Sequence, residues 1–422
     1  MKFWYKLLTY LFYPFSHIYL FFRKIKKKEH QSRYKEKLSQ IKTRRPEGFL
    51  LWCHVASVGE AMSILPLLEH FKEEQKVQNI LITTITLSSA QILEKKFKND
   101  LKIIHQFLPL DIPLFVEKFL NHWSPNLAIF IDSEIWPNFI FNIKEKNIPL
   151  LLVNARISKK TFLRWKFLKN FAKQIFEKFD LCLVSNNETA DHLTSLGAKN
   201  VKNFGNLKFA KNKSNHKKLD LDFLNKIKNR KIWCAASTHE TEEIFCAKTH
   251  LTLKKTIGNV LTIIIPRHIS RVQKIYKDLS NLNLKINLYS ESSKLDEKTD
   301  IIIVDSYGET TKLYYISKCV LLGKSLINSL KNDSGQNPIE AARLGCKIFH
   351  GPNVSNFFDI YEYLRSLKIT KEVTTPEILC QSLVEELKDN KKYNQETITK
   401  IEKYGQNTFN NVLNEIKIYI NT

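Results

Sequence analysis

Short runs rich in Ile, Leu and Val recur along this chain, most of them followed by a longer amphipathic stretch. That alternation restricts the fold more than any other feature. The runs are FLLWCHVA (49–56), NILITTIT (79–86), KIIHQFLPL (102–110), LAIFIDS (127–133), PLLLVNA (149–155) and LCLVSN (181–186). A strand buried on both faces reads as a continuous apolar run, and strands alternating with helices build a parallel sheet. A polar Lys/Asn-rich segment, KFAKNKSNHKKLD (208–220), then interrupts the pattern. A second series follows: KIWCAAST (231–238), LTIIIPRH (261–268), KINLYS (285–290), DIIIVDSY (300–307), CVLLGKS (319–325) and KIFHG (347–351), with a tail from about 375 to 420 that reads as helix. At 422 residues the chain exceeds one ordinary core. Two doubly wound α/β domains are predicted, 29–210 and 221–422, the second carrying the C-terminal helices and 211–220 acting as linker. Two such domains facing each other place a ligand cleft between their strand C-terminal ends.

The N-terminal stretch has its own character. FWYKLLTYLFYPFSHIYLFF (3–22) is crowded with aromatics and runs into RKIKKK (23–28). It is long enough to cross a hydrocarbon core, yet Lys6, Pro14 and His17 interrupt it. No small-residue cleavage site of a signal peptide follows. Residues 1–28 therefore read as a signal anchor or an interfacial helix, with a soluble core helix as the alternative. The basic flank suits an anionic cytoplasmic leaflet and keeps the remainder on that side. Net charge is +24, from 66 basic against 42 acidic residues. Such an excess steers anions, although the Lys- and Asn-rich composition accounts for part of it. The lysines are interleaved with Glu and Asp, and no nucleic-acid signature is present, so nucleic acid is not an expected partner. Seven scattered cysteines form no CxxC pair and no metal-ligand spacing, as for reduced core thiols.

Polar residues gather where the strands end, which is where an open α/β sheet keeps its ligands. Glu60 follows the first run; Asp132 and Glu134 end the fourth; Asn154 and Arg156 end the fifth; Lys208 precedes the linker. In the second half STHETEE (237–243), PRH (266–268), YGET (307–310) and SGQNPIE (334–340) stand in the same positions. A carboxylate such as Glu60 in a first helical turn either complements the helix dipole or serves as an acid or base at the mouth of a site. STHETEE and SGQNPIE read individually as helix caps. Together with Arg267, several helix starts in one domain also form an anion site. Neither GxGxxG nor GxxxxGK[ST] occurs.

The ordered set HVASVGEA, PLD, SEIWPN, VNARIS, GNLKF, ASTHETEE, IPRH, DSYGE and GQNPIEAA resembles the 3-deoxy-D-manno-octulosonic acid (Kdo) transferases, over nearly the whole chain. The resemblance implies a GT-B fold of two Rossmann-like domains facing a central cleft. Acceptor binds the first domain and the donor CMP-Kdo the second, with no metal and no other cofactor. It implies transfer of Kdo to the lipid A precursor (lipid IVA) at the cytoplasmic face of the inner membrane, whose anionic lipids hold the N-terminal anchor. It makes Glu60 the general base, which its helix-start position should keep ionised, with Glu134 and Lys208 assisting the transition state. Arg267 and His268 then contact the CMP phosphate and ribose. Gly308, Glu309 and Thr310 hold the nucleotide, and Ser325, Gly335, Gln336, Asn337 and Glu340 complete the pocket, with His239 a further candidate. The chain departs from the pattern at Lys324, Ser334, Gln336 and Ile269, all on the donor side. The alternative is a GT-B glycosyltransferase or epimerase that uses a UDP-sugar.

Overall fold

A computed structural model of the chain describes residues 1–210, 219–330, 334–388 and 395–421. It divides into two compact units, Met1–Asn212 with Tyr404–Thr422, and Lys213–Lys403. Most of the linker expected at 211–220 lies outside the described residues.

In the first unit the strands are β1 (Leu50–His54), β2 (Asn79–Thr84), β3 (Ile103–Phe107), β4 (Leu127–Ile131), β5 (Leu150–Ala155), β6 (Leu181–Val184) and β7 (Val201–Asn203). They form one sheet in the order β3-β2-β1-β4-β5-β6-β7, every pair parallel. The second unit holds β8 (Lys231–Thr238), β9 (Val260–Pro266), β10 (Ile286–Leu288), β11 (Ile301–Ile303), β12 (Cys319–Leu322), β13 (Lys347–His350) and β14 (Thr370–Glu372), in the order β10-β11-β9-β8-β12-β13-β14 and again all parallel. Every apolar run predicted as a strand is one. Among the described residues β7 and β14 add two three-residue strands that the runs did not announce, because VKN and TKE carry too little apolar surface.

β1 shows why the runs are continuous. All five of its residues are buried. Leu50 and Trp52 pack into one face with Phe119, Phe130 and Phe139. Leu51 and Cys53 pack into the other with Leu68 and Phe71. The second sheet is filled the same way around Trp233, Ala235, Ile264 and Leu321. In each sheet the strand order reverses beside the first strand, between β1 and β4 and between β8 and β12. These are the two places where such a sheet opens a crevice at its strand C-terminal ends.

Two boundaries differ from those read in the sequence. Tyr404–Thr422 clusters with the first unit, not the second. The cause is the stripe Val412, Leu413, Ile416 and Ile420 on the C-terminal helix (Gln395–Asn421), which is buried in the core that holds Leu51 and Phe71. The N-terminal stretch is two helices, Lys2–Leu11 and Tyr13–Ile25, separated at Phe12 ahead of Pro14. Among the described residues no helix is long and apolar enough to cross a membrane. Nor is this stretch detached. Leu20 is buried with Leu38, Ile112 and Phe115, and Glu29 pairs with Arg23 and Lys37, each at 2.6 Å. The outward faces remain apolar: Phe3, Trp4, Leu8, Phe15, Phe21 and Phe22 are exposed.

Candidate active site

The helix Val58–Glu73 starts where β1 ends. Ser57 caps it, accepting the Glu60 N–H (3.4 Å). Glu60 returns the contact: its carboxylate accepts the Ser57 hydroxyl (2.7 Å) and the Ala56 N–H (2.7 Å). This is a capping box shifted by one residue, and it pins the carboxylate over the end of β1. Burial is the largest influence on its proton affinity. With added repulsion from Glu134 and Asp132 it outweighs the two hydrogen bonds and pushes the pKa up to about 7. The expectation that the helix start keeps Glu60 fully ionised is therefore corrected, because desolvation exceeds what the first-turn amides return. A group half-protonated at neutral pH is well matched to taking and giving a proton there.

Glu134 follows β4, across the strand-order reversal from Glu60. Burial raises its proton affinity, but hydrogen bonds from His54 and Trp136 more than offset this and hold it below the usual carboxylate range. His54 Nε2 lies 3.1 Å from Oε2 and Trp136 Nε1 donates to the same oxygen at 2.8 Å. Two neighbouring carboxylates are thus driven apart, one toward neutrality and one toward full charge.

Lys208 is half-buried in the 3₁₀ turn Leu207–Phe209, whose first N–H groups are held by side chains. Asn206 accepts the Lys208 N–H (3.0 Å), and Asn154 of β5 accepts that of Leu207 (2.8 Å). Burial lowers the Lys208 pKa, opposed by the charges of Asp132 and Glu60. Asp132 in turn is raised by burial and lowered by Lys208 and Arg156. Both Asp132 and Asn154 hold left-handed backbone, at φ 61° and 55°, and strain of that kind concentrates at working sites. The structure therefore brings Glu60, Glu134 and Lys208 near one another. It also adds Asp132 and Arg156, seen in the sequence only as strand-end polar residues, and His54 and Trp136, which had been given no role. A histidine closing a fully apolar strand was the available signal for His54.

The motifs explain one another in this geometry. Asp111 of PLD caps the helix Pro137–Glu145 that begins in SEIWPN, accepting the N–H groups of Asn138 (3.1 Å) and Phe139 (3.0 Å) and the Tyr5 hydroxyl (2.8 Å). VNARIS joins GNLKF through the Asn154–Leu207 bond already described.

In the second unit the predicted donor residues stand at the strand C-terminal ends. Arg267 and His268 follow β9, are exposed, and tie back through the Arg267 N–H to Thr238 O (3.0 Å). His239 follows β8, its ring 6.2 Å from that of His268. Gly308 takes φ 90°, Glu309 is engaged by Lys312 (2.6 Å), and Thr310 opens a short helix. Gly335 donates to Lys324 O (2.7 Å) with φ 83°, Gln336 is half-buried, and Asn337 caps Ile339 (3.1 Å). Glu340 is exposed and accepts the Thr311 hydroxyl. Ser325 differs from its neighbours. It is wholly buried, its hydroxyl donating to Leu322 O (2.6 Å) and accepting the Gly351 N–H (2.9 Å), so it shapes the loop.

STHETEE is not the hydroxyl-capped helix start that the sequence suggested. Thr241 sits at φ 82° without a side-chain cap bond. Glu242, buried, crosses the β8/β12 reversal and accepts four N–H groups: His239 (2.9 Å), Lys324 (2.8 Å), Ser325 (3.1 Å) and Leu326 (3.1 Å). Glu243 pairs with Arg271 through both guanidinium ends, at 2.9 and 3.0 Å. Among the described residues no three His, Cys, Asp or Glu side chains gather as metal ligands would.

Comparison with known proteins bears on this site. Residues 32–211 match the family model described as 3-deoxy-D-manno-octulosonic-acid transferase (kdotransferase). The 3-deoxy-D-manno-octulosonic acid transferase of Rickettsia bellii is 34% identical over 381 residues, covering 90% of this chain and 89% of its own. The chain belongs to this family. It is accordingly a glycosyltransferase and a Kdo transferase by relationship. The probable mitochondrial Kdo transferase of Arabidopsis thaliana is 33% identical, covering 89% of this chain and 85% of its own. Among solved structures, a UDP-N-acetylglucosamine 2-epimerase covers 89% of this chain and 96% of its own at a TM-score of 0.56 and 12% identity. A likeness that distant shows the fold alone: two parallel-sheet α/β units like those of GT-B glycosyltransferases and epimerases.

Proposed function

We propose that this Kdo transferase moves Kdo from CMP-Kdo to a hydroxyl of the lipid A precursor, lipid IVA, with Glu60 as the base. The single observation that carries the assignment of roles is the pair of opposed carboxylates: Glu60 pushed up to about 7 beside Glu134 held low. As the acceptor oxygen bonds to the anomeric carbon of Kdo, the bond from that carbon to the CMP phosphate breaks. The acceptor's proton passes to Glu60, and CMP leaves with the bonding electrons. Ionised Glu134 stabilises positive charge developing on the sugar, and Lys208 offsets negative charge developing on the phosphate. The second unit binds the nucleotide, its exposed Arg267 and His268 meeting phosphate and ribose. Its loops at Gly308–Thr310 and Gly335–Glu340 line the rest, over a floor shaped by Ser325 and Glu242.

The N-terminal helices hold the enzyme on the cytoplasmic face of the inner membrane, lying in the interface. Exposed aromatics on both helices and the run Arg23–Lys28 support that reading.

Incubation with CMP-Kdo made in situ and tetraacylated lipid A precursor tests the activity, with mass spectrometry as readout. The product is expected to gain the mass of one or more Kdo units, and an unchanged acceptor overturns the proposal. Thermal shift separates it from UDP-sugar chemistry: CMP or CTP protects the protein and UDP-sugars do not.

A further inference from the structure

The buried chain behind Glu134 points to one more participant. Trp52, Thr83, His54 and Glu134 form a single line of hydrogen bonds across β1, β2 and the end of β4. Trp52 Nε1 donates to Thr83 Oγ1 (2.9 Å), which lies 2.9 Å from His54 Nδ1; His54 Nε2 lies 3.1 Å from Glu134 Oε2. Indole N–H is a donor only, so the Thr83 oxygen accepts there and its own proton is free to point at Nδ1. Nδ1 also lies 3.2 Å from the Thr83 carbonyl, so both Thr83 oxygens hold that nitrogen, while Nε2 faces an ionised carboxylate that can only accept and so carries a proton aimed at Glu134. Trp52 and His54 are completely buried, as is Thr83. The imidazole is further held edge-on by Phe130, with ring centroids 5.4 Å apart at 69°. Every polar atom on this line thus has a partner, and each fixes the next. A histidine at this depth with nothing to orient would be a costly choice for a strand otherwise made of Leu, Trp and Cys.

We infer that His54 is a positioning residue for Glu134, its Nε2–H fixing the carboxylate in place and in its ionised state for the transfer step. The inference rests on the role given to Glu134 in the proposed mechanism. Thr83 holds Nδ1 through its hydroxyl and its carbonyl, and Trp52 holds the Thr83 hydroxyl. Trp136 grips the same oxygen from the other side. His54 itself touches no substrate.

The test is a double-mutant cycle on the full chain, with kcat, KM for CMP-Kdo and the pH profile of kcat measured for each variant. His54→Leu is expected to lower kcat roughly 10- to 100-fold, the scale of a mispositioned group, with KM changed less than about twofold. It should also move a second, more acidic limb, below the one that Glu60 sets, upward, because Glu134 loses a donor that favours its charged form. His54→Gln, whose amide N–H can reach the place of Nε2–H, is expected to restore most of the rate and the limb. Glu134→Gln added to His54→Leu should cost little more than either change alone. Losses that multiply would show that His54 acts apart from Glu134, overturning the inference while leaving the role of Glu134 standing. If Glu134→Gln alone is active at the wild-type rate, both that role and the inference fail. Should His54→Leu not fold, ¹⁵N NMR of ring-labelled wild type decides the matter. A pyrrole-type Nε2 that shifts in Glu134→Gln supports the arrangement; an unprotonated, pyridine-type Nε2 overturns it.

Discussion

Glu60 has two jobs that pull in opposite directions. As a helix-cap partner it prefers to be charged, but burial beside Glu134 and Asp132 leaves its pKa near 7. Activity should therefore fall about tenfold per pH unit on the acid side of pH 7, as the base is lost to protonation. The pH dependence of kcat/KM checks this, and a limb near pH 4.5 would remove Glu60 from the role. Glu60→Gln is expected to abolish transfer with CMP binding intact, by activity assay and thermal shift. Its stability follows from the same shift. A carboxyl whose folded pKa lies above its unfolded value contributes stability that is full below about 4.5 and lost as pH rises through 7. The melting temperature of Glu60→Gln relative to wild type should thus climb between pH 4.5 and 7 and level off above. The site would then be one where removing the working group makes the protein sturdier. Glu60, Glu134 and Lys208 were legible because each stands in a motif at a strand end. Their electrostatics were not, since burial and the approach of Asp132 depend on strands distant in sequence.

Elements meet the site through loops that a single atom controls. Gly323 is such a point: a Cβ there would lie 2.5 Å from Ser237 O and 2.7 Å from Thr238 Cα, both backbone atoms. Gly323→Ala is expected to cost about 1–3 kcal/mol and to weaken CMP binding. Thermal melts and calorimetry measure the two effects, and unchanged CMP affinity would show that the β12 loop does not line the nucleotide site. Glu242 works on the same loop by gathering its N–H groups. In the sequence it was indistinguishable from an ordinary first-turn glutamate, because which amides a buried carboxylate collects depends on strand order. That order was itself only half legible. Each apolar run gave a strand, but nothing local announces that β4 lies beside β1, which is what brings Glu134 to His54.

At the scale of the whole molecule, the ends of the chain behave differently from what hydropathy alone implies. The N-terminal helices are built into the first unit: Leu20 fills a small core and Tyr5 reaches the buried Asp111. Removing residues 1–28 should release the protein from anionic vesicles and also cost stability, about 2–4 kcal/mol for one buried Leu and a charged hydrogen bond. Cosedimentation and urea melts read the two effects. A deletion that keeps full stability would show the helices to be mere attachments.

The stripe Val412, Leu413, Ile416 and Ile420 lies in the core of the first unit, although it follows nearly two hundred residues of the second. On the ribosome, the unit that is translated first must therefore wait. Its sheet can assemble while the second unit is being made, but one wall of its interior is supplied only after Lys403 has been read. A message broken shortly before that point would release a chain whose second unit is complete and whose first lacks one wall of its core.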